Sequence, residues 1–325
     1  MALTEAVAGR PGIAWRGWVS RYAVVIVAVV LFIGFSVLYP DTFATTGNLK
    51  AMVNTQSVVL LLALGASIPI LVGDIDFSVS AVMTGAAALL AALTIAGVPV
   101  LIAVLAALVF GLVVGAVNAF FIVSVGVDSL VLTLGSLIAL GGMAYAATGS
   151  QILTGVPHSL VEFSRHEVFG LPAATWYAWI LVVVVWYVYE RTPLGRYLLF
   201  TGGNPEAARL SGLPVARLRA GALIACALIA AFAGIVLLGQ MGAADPGSGP
   251  SYLLQPFAAI FLGATAVKAG QVNAWGTMIA LYLLTIGITG MQLAGAQAWV
   301  NNVFNGLALI LAITVAKLAS GKANR

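Results

Sequence analysis

Charge is what this sequence has least of. Asp, Glu, Lys and Arg make up 7% of 325 residues, against roughly a quarter in a soluble domain, too little to cover a water-facing surface. Cysteine is nearly absent: Cys226 alone, inside an apolar run, excludes an internal disulfide. No G-x-x-x-x-G-K-[ST] stretch is present, so the chain offers no loop to cradle nucleotide phosphates. Nothing pairs a nucleophile with a base, and no Cys or His cluster points to catalysis. The formal charge of +4 sits in a few loops, so it is no nucleic-acid signal.

What is present is hydrocarbon. Hydrophobic residues reach 62% and the mean hydropathy is +1.10. Apolar runs near twenty residues recur, each able as a helix to cross about 30 Å of lipid. The expected fold is all-α, a polytopic transmembrane bundle of about ten spans. The spans fall at 22–39, 52–72, 78–96, 99–124, 130–148, 173–189, 220–241, 251–267, 274–293 and 299–317. Residues 1–21 precede this membrane domain of 22–318, which carries a loop at 190–219, and 319–325 form a tail. The first run follows Arg10, Arg16 and Arg21 as in a signal peptide, but no A-x-A-like site follows it, so it reads as an uncleaved span.

Basic residues set the orientation. With the N-terminus in the cytosol, Arg10, Arg16, Arg21, Arg191, Arg196, Arg209, Arg217, Arg219, Lys268, Lys317, Lys322 and Arg325 all fall inside. Lys50 and Arg165 fall outside. The tight connections "GDIDFS" and "AGVP" also fit a re-entrant hairpin, which would lower the count and keep the termini where they are. Small residues such as Gly111 and Gly115 in "GLVVG" suit close helix packing in lipid.

One polar stretch stands out, "TGGNPEAARLSGLPVARLR" at 201–219. Asn204 suits an N-cap, Pro205 the first helical position, Glu206 the positive end of the dipole, and Gly212 the left-handed stop. Two turns result, with Ala207 and Leu210 on one side and Glu206 placed to pair with Arg209. So short a helix is unstable alone and must lie against something. Its own bundle or lipid headgroups would serve, and so would a groove on a cytosolic subunit.

At these residues the chain resembles permeases of ATP-binding-cassette importers of the ribose, xylose and galactose type. The family pattern G-R-x-x-x-A-x-G-G-N-x-x-A-A-x-x-S-G-[IL] is met at Gly195, Arg196, Gly202, Gly203, Asn204, Ala207, Ala208, Ser211 and Gly212. "GDIDFSVSAVMTGAA" is similar to the family's G-G-I-D-L-S-V-G motif through Gly73, Ile75, Asp76, Ser78 and Val79, with Asp74 in place of its second Gly. Asn118, Thr133, Leu134, Gly135 and Gly149 follow the N-G-x(n)-F-I-x-T-L-G segment, with Ala119 for its Gly. Ala264, Ala266 and Lys268 interrupt the G-G-T-S run.

The resemblance implies a permease in the bacterial cytoplasmic membrane, with a second permease, identical or paralogous. It implies ATPase subunits that hold ATP and Mg, an extracytoplasmic solute-binding protein, and a small sugar-like solute. The chain itself carries no cofactor. Gly203, Asn204, Glu206, Ala207, Ala208, Arg209, Leu210 and Gly212 would form the helix that couples to the ATPase.

The other polar residues leave alternatives open. Asp74, Asp76 and Ser78 are placed to line a water path, to form a solvated turn, or to relay protons. Proton relay is the basis of the rival reading, a stand-alone secondary transporter or channel. Asn54, Gln56, Asn118, Gln240 and Gln255 suit a hydroxyl-rich solute or interhelical hydrogen bonds equally; Asn301, Asn302 and Asn305 are similar. His158, Glu162 and His166 stand four apart, a spacing short of a full metal set, in an amphipathic loop that Trp176 and Tyr177 would anchor.

Overall fold

A helix rises 1.5 Å per residue, so length decides which of these runs cross a bilayer. The computed structural model describes residues 12–268, 270–297 and 299–321; Arg10, Lys322 and Arg325 lie outside them. The first half is α1 (Gly12–Leu38), α2 (Thr46–Leu71), α3 (Val79–Ile95), α4 (Val100–Ala119, continued by a π-helical turn, Phe120–Val125) and α5 (Ser129–Thr148). Next come β1 (Leu153–Thr154), α6 (His158–Arg165), β2 (Glu167–Val168), β3 (Leu171–Pro172) and α7 (Ala173–Arg191). The rest is α8 (Pro193–Gly203), α9 (Pro205–Leu210), α10 (Val215–Met241), β4 (Ala243–Ala244), α11 (Leu254–Gly263), α12 (Ala274–Leu293) and α13 (Trp299–Gly321).

Among the described residues, six helices are long and apolar enough to span: α2, α4 with its π-helical turn, α5, α7, α10 and α12. Shorter apolar helical stretches lie at 22–38, 79–95 and 299–311. The expected span at 251–267 is corrected. Helix α11 has ten residues, about 15 Å of rise, and the described residues from 264 to 273 are not helical. Gly263 meets the backbone of Gly276 and Thr277, where a Cβ would sit 2.5 Å away. Asn273 holds the irregular stretch, donating to the carbonyls of Gly263, Ala266 and Gln271 and accepting from Gly276 N at 2.6 Å. Such backbone is tolerated at membrane depth only where protein groups satisfy it.

Helix α10 is the hub, packed on α2, α3 and α4. Close approach needs glycine on the facing helix. A Cβ on Gly111 would lie 2.6 Å from Ala231 Cβ, and one on Gly115 would lie 2.9 Å from Ala227 Cβ. The "GLVVG" pair is therefore a helix contact, as its spacing suggests. The opposite face of α4 presents Leu101, Leu105, Val109 and Leu112 outward, as a lipid-facing helix does.

The two ends of the bundle differ. At one end β1 pairs with β4 and β2 with β3, closing the 150–172 loop. Trp176 Nε1 donates to Val168 O at 2.9 Å and Tyr177 Oη to Phe163 O at 2.8 Å, tying that loop to α7. Lys50 meets Glu167 at 3.3 Å and Arg165 donates to Gln240 O, so the two basic residues assigned to one side share this end. The far end of α7 carries Glu190, paired with Lys268 at 3.0 Å, together with α8 and α9.

Gly111→Ala and Gly115→Ala are each expected to destabilise the bundle by about 1–3 kcal/mol through overpacking. Gly221→Ala, on α10 with nothing within 4 Å of its Cβ, is expected to be neutral or to stabilise by up to about 1 kcal/mol. Thermal unfolding midpoints in detergent check the contrast; equal shifts at all three positions would refute this packing.

Candidate functional site

The polar stretch folds as its residues dictate. Thr192 accepts from Gly195 N at 3.4 Å and starts α8. Asn204 Oδ1 accepts from Ala207 N at 3.0 Å and starts α9, with Pro205 in its first turn. Ser211 Oγ donates back to Ala207 O at 2.9 Å, and Gly212, at φ +82°, ends the helix. One alanine seats the helix. Ala208 is buried, whereas Leu210 is 86% exposed. Glu206 and Arg209 are both exposed and form no ion pair with each other. A short helix thus rests on Ala208 and holds a leucine flanked by opposite charges out into solvent.

Beneath this loop, the chain breaks between α2 and α3. Gly73, at φ +90°, turns it out of α2. Asp74 is 2% exposed, and its carboxylate takes two bonds from Arg219 of α10, at 2.8 and 2.7 Å. Asp76 Oδ1 accepts from Ser78 N at 2.9 Å and Ser78 Oγ at 2.6 Å, an Asx-turn that leads into α3. Asn118 Nδ2 donates to Ser78 Oγ at 3.0 Å, and Ser136 Oγ donates to Asn118 Oδ1 at 2.8 Å.

Helix α5 completes the lining of the break. Ser129 Oγ accepts from Ile75 N at 3.3 Å, while Thr133 Oγ1 accepts from Phe77 N at 3.1 Å and donates toward Ile75 O at 3.3 Å. Asp76 Oδ2 is buried with no hydrogen-bond partner. A solvated turn is thereby corrected: both acids are buried, one ion-paired and the other built into backbone.

The comparisons decide what this site belongs to. A family described as "Branched-chain amino acid transport system / permease component" matches residues 48–313. The chain belongs to this family. The permease is 30% identical to the "Ribose import permease protein RbsC" of Escherichia coli (strain K12) over 316 residues, 96% of this chain and 98% of the relative. It is 26% identical to the protein of that name in Haemophilus influenzae, over 89% of this chain and 90% of the relative. It is 28% identical to the "Autoinducer 2 import system permease protein LsrD" of Photorhabdus luminescens, over 91% and 90%. No solved structure matches it. This chain is the membrane permease subunit of an ATP-binding-cassette importer, not an enzyme, and the ATPase is a separate subunit. The stand-alone proton-coupled reading is not favoured.

The remaining polar residues of the permease gather at the opposite end. Gln240 Nε2 donates to Asn54 Oδ1 and O, both at 2.9 Å, and to Ser57 Oγ at 2.8 Å. Gln255 donates to Gln56 at 3.1 Å. These four amides meet in pairs across helices, while Asn118 belongs to the break. His158 and Glu162 stand 3.5 Å apart on an exposed helix face, and His166 lies beyond its end. Sequence reading missed Ser129, Ser136 and Arg219 as partners of the break. The signal was present: Ser129, Thr133 and Ser136 repeat at i, i+4 and i+7, a hydroxyl stripe on one face of an otherwise apolar helix.

Asp76→Asn keeps Oδ1 and both bonds from Ser78, so its thermal midpoint is expected near that of the parent. Asp76→Ala strands the Ser78 donors and is expected to cost about 1–3 kcal/mol. Intrinsic tryptophan fluorescence on heating checks the pair. Equal losses in both variants would show that the charge, not Oδ1, holds the break.

Proposed function

We propose that the permease imports a small sugar-like solute across a bacterial cytoplasmic membrane, and that α9 is the helix through which its ATPase drives it. The observation that carries the docking role is Leu210, 86% exposed beside the exposed Glu206 and Arg209 on a helix seated by Ala208. An exposed leucine on a two-turn helix gains nothing from its own chain and is the kind of anchor a partner groove buries. Gly203, Asn204, Ala207 and Gly212 shape the helix; Glu206, Arg209 and Leu210 face the partner.

The α9 end is cytosolic in this reading, with both termini on that side. The distribution of basic residues supports it. So does the joint placement of Lys50 and Arg165 at the other end. Ten segments cross the membrane: α1, α2, α3, α4, α5, α7, α10, α11, α12 and α13, with the short α11 and the non-helical residues after it carrying the chain from the Gln56–Gln255 end to the Glu190–Lys268 end. A second permease completes the path, and a solute-binding protein docks on the end that carries α6 and the β pairs. The Asn54–Gln240 and Gln56–Gln255 clusters stand at that end, as the outer mouth of the path. The sugar class rests on relatives named for ribose and autoinducer 2 import. The family description names branched-chain amino acids, which makes those the competing solute.

Leu210→Asp and Arg209→Glu are expected to weaken ATPase association by roughly tenfold or more, as loss of an interface anchor does, and Glu206→Ala to lower it less. Asn204→Ala is expected to cost α9 about 1 kcal/mol. ATPase retained on washed membranes measures all four. Undiminished retention in Leu210→Asp and Arg209→Glu would remove the docking role. A thiol at position 210, on a Cys226→Ala background, is expected to react with an impermeant maleimide only from the cytosolic side.

A further inference from the structure

The α9 loop is fastened to the helix break on both flanks. Before it, Gly202 in the last turn of α8 lies flush on the end of α2: a Cβ there would meet the carbonyl oxygen of Leu71 and sit 3.2 Å from Val72 Cα. After it, Arg219 near the start of α10 forks onto Asp74 through Nε and Nη2. Leu71, Val72 and Asp74 lie within four residues of one another, at the end of α2 and just beyond it. The chain therefore leaves that segment at Gly202, forms α9, and returns to it at Arg219.

We propose that Gly202 and the Asp74–Arg219 pair form a clamp that makes α9 and the 71–78 break one rigid body, so that displacement of α9 is delivered to the membrane helices through the break. This rests on the reading of α9 as the docking helix.

Three features carry it. A two-turn helix transmits force only if its base resists rotation, and a bidentate guanidinium–carboxylate pair fixes angle as well as distance. Asp74 is buried while the Arg219 side chain is about 31% exposed, so separating them would strand a buried charge, which is strongly disfavoured. From the break, hydrogen bonds run onward to α4 through Asn118 and to α5 through Ser129, Thr133 and Ser136. Movement of the break thus changes how α3 sits against both helices.

The test needs no knowledge of the solute. Tyr145, at the far end of α5, is partly exposed and lines a cavity of about 450 Å³ between α3, α5 and the 246–250 loop. In membranes holding the permease with its ATPase, Tyr145→Cys on a Cys226→Ala background reports the state of that region by its maleimide reaction rate. With the clamp intact, ATP is expected to change the rate by at least about fivefold, the lower end of typical coupling between sites.

Combining Asp74→Asn with Arg219→Gln keeps side-chain shape and removes the charges. The rate is then expected to become independent of ATP while ATP hydrolysis and ATPase retention persist. Arg219→Lys, which keeps the charge and loses the fork, is expected to fall between. A full ATP response in the neutral pair, or none with the clamp intact, overturns the clamp. Failure of the docking reading shows separately, as ATPase retention indifferent to Leu210→Asp.

Discussion

Backbone that leaves the helix inside a packed bundle has no water to turn to, and everything at the centre of this permease follows from that constraint. Between α2 and α3 the amides of Ile75, Phe77 and Ser78 need acceptors, and two acids need partners. The chain supplies them from three directions: hydroxyls from α5, an amide from α4, and a guanidinium from α10. Each group is oriented by another, so the break is over-determined rather than loose. The same solution appears after α11, where Asn273 donates to three carbonyls and caps the next helix.

How much of this is legible in the sequence depends on range. Asn204, Pro205 and Gly212 act within a few residues of themselves, and the helix they bound could be read directly. Gly111 and Gly115 name a contact by spacing alone, although not the helix they meet. The Asp74–Arg219 pair joins residues 145 positions apart, and no local rule links them. Within its own loop Asp74 reads as a path or turn residue, and Arg219 as one more basic residue on a face. The end of α11 was hidden for a related reason. The apolar run continues past Gly263, and what stops the helix is the approach of Gly276 and Thr277 from α12. Spacing puts Ala207 and Leu210 on one side of α9 but does not say which side faces the bundle; contacts with α8 and α10 decide that.

The polar residues inside the membrane divide by what they do. Asn54, Gln56, Gln240 and Gln255 spend their hydrogen bonds on one another across helices. A solute gains from such groups only where it offers bonds at least as good, since an amide left unpaired in hydrocarbon costs more than the bond it loses. Any solute contact at these positions must therefore exchange one bond for another.

Energy from a partner moves a membrane helix only if the two conformations grip that partner differently and if the grip is mechanically joined to the helix. An exposed α9 offers the surface that such a grip needs. The second is where the identity of residue 74 matters. A glycine there would leave α10 to meet the break by packing alone, which yields to sliding. A carboxylate facing Arg219 replaces sliding contact with two directional bonds whose rupture would bare a buried charge. In the proposed clamp such a joint would stay closed in both conformations, and the change of state would fall to α3 against α4 and α5, where single neutral hydrogen bonds of modest strength are made and broken more readily.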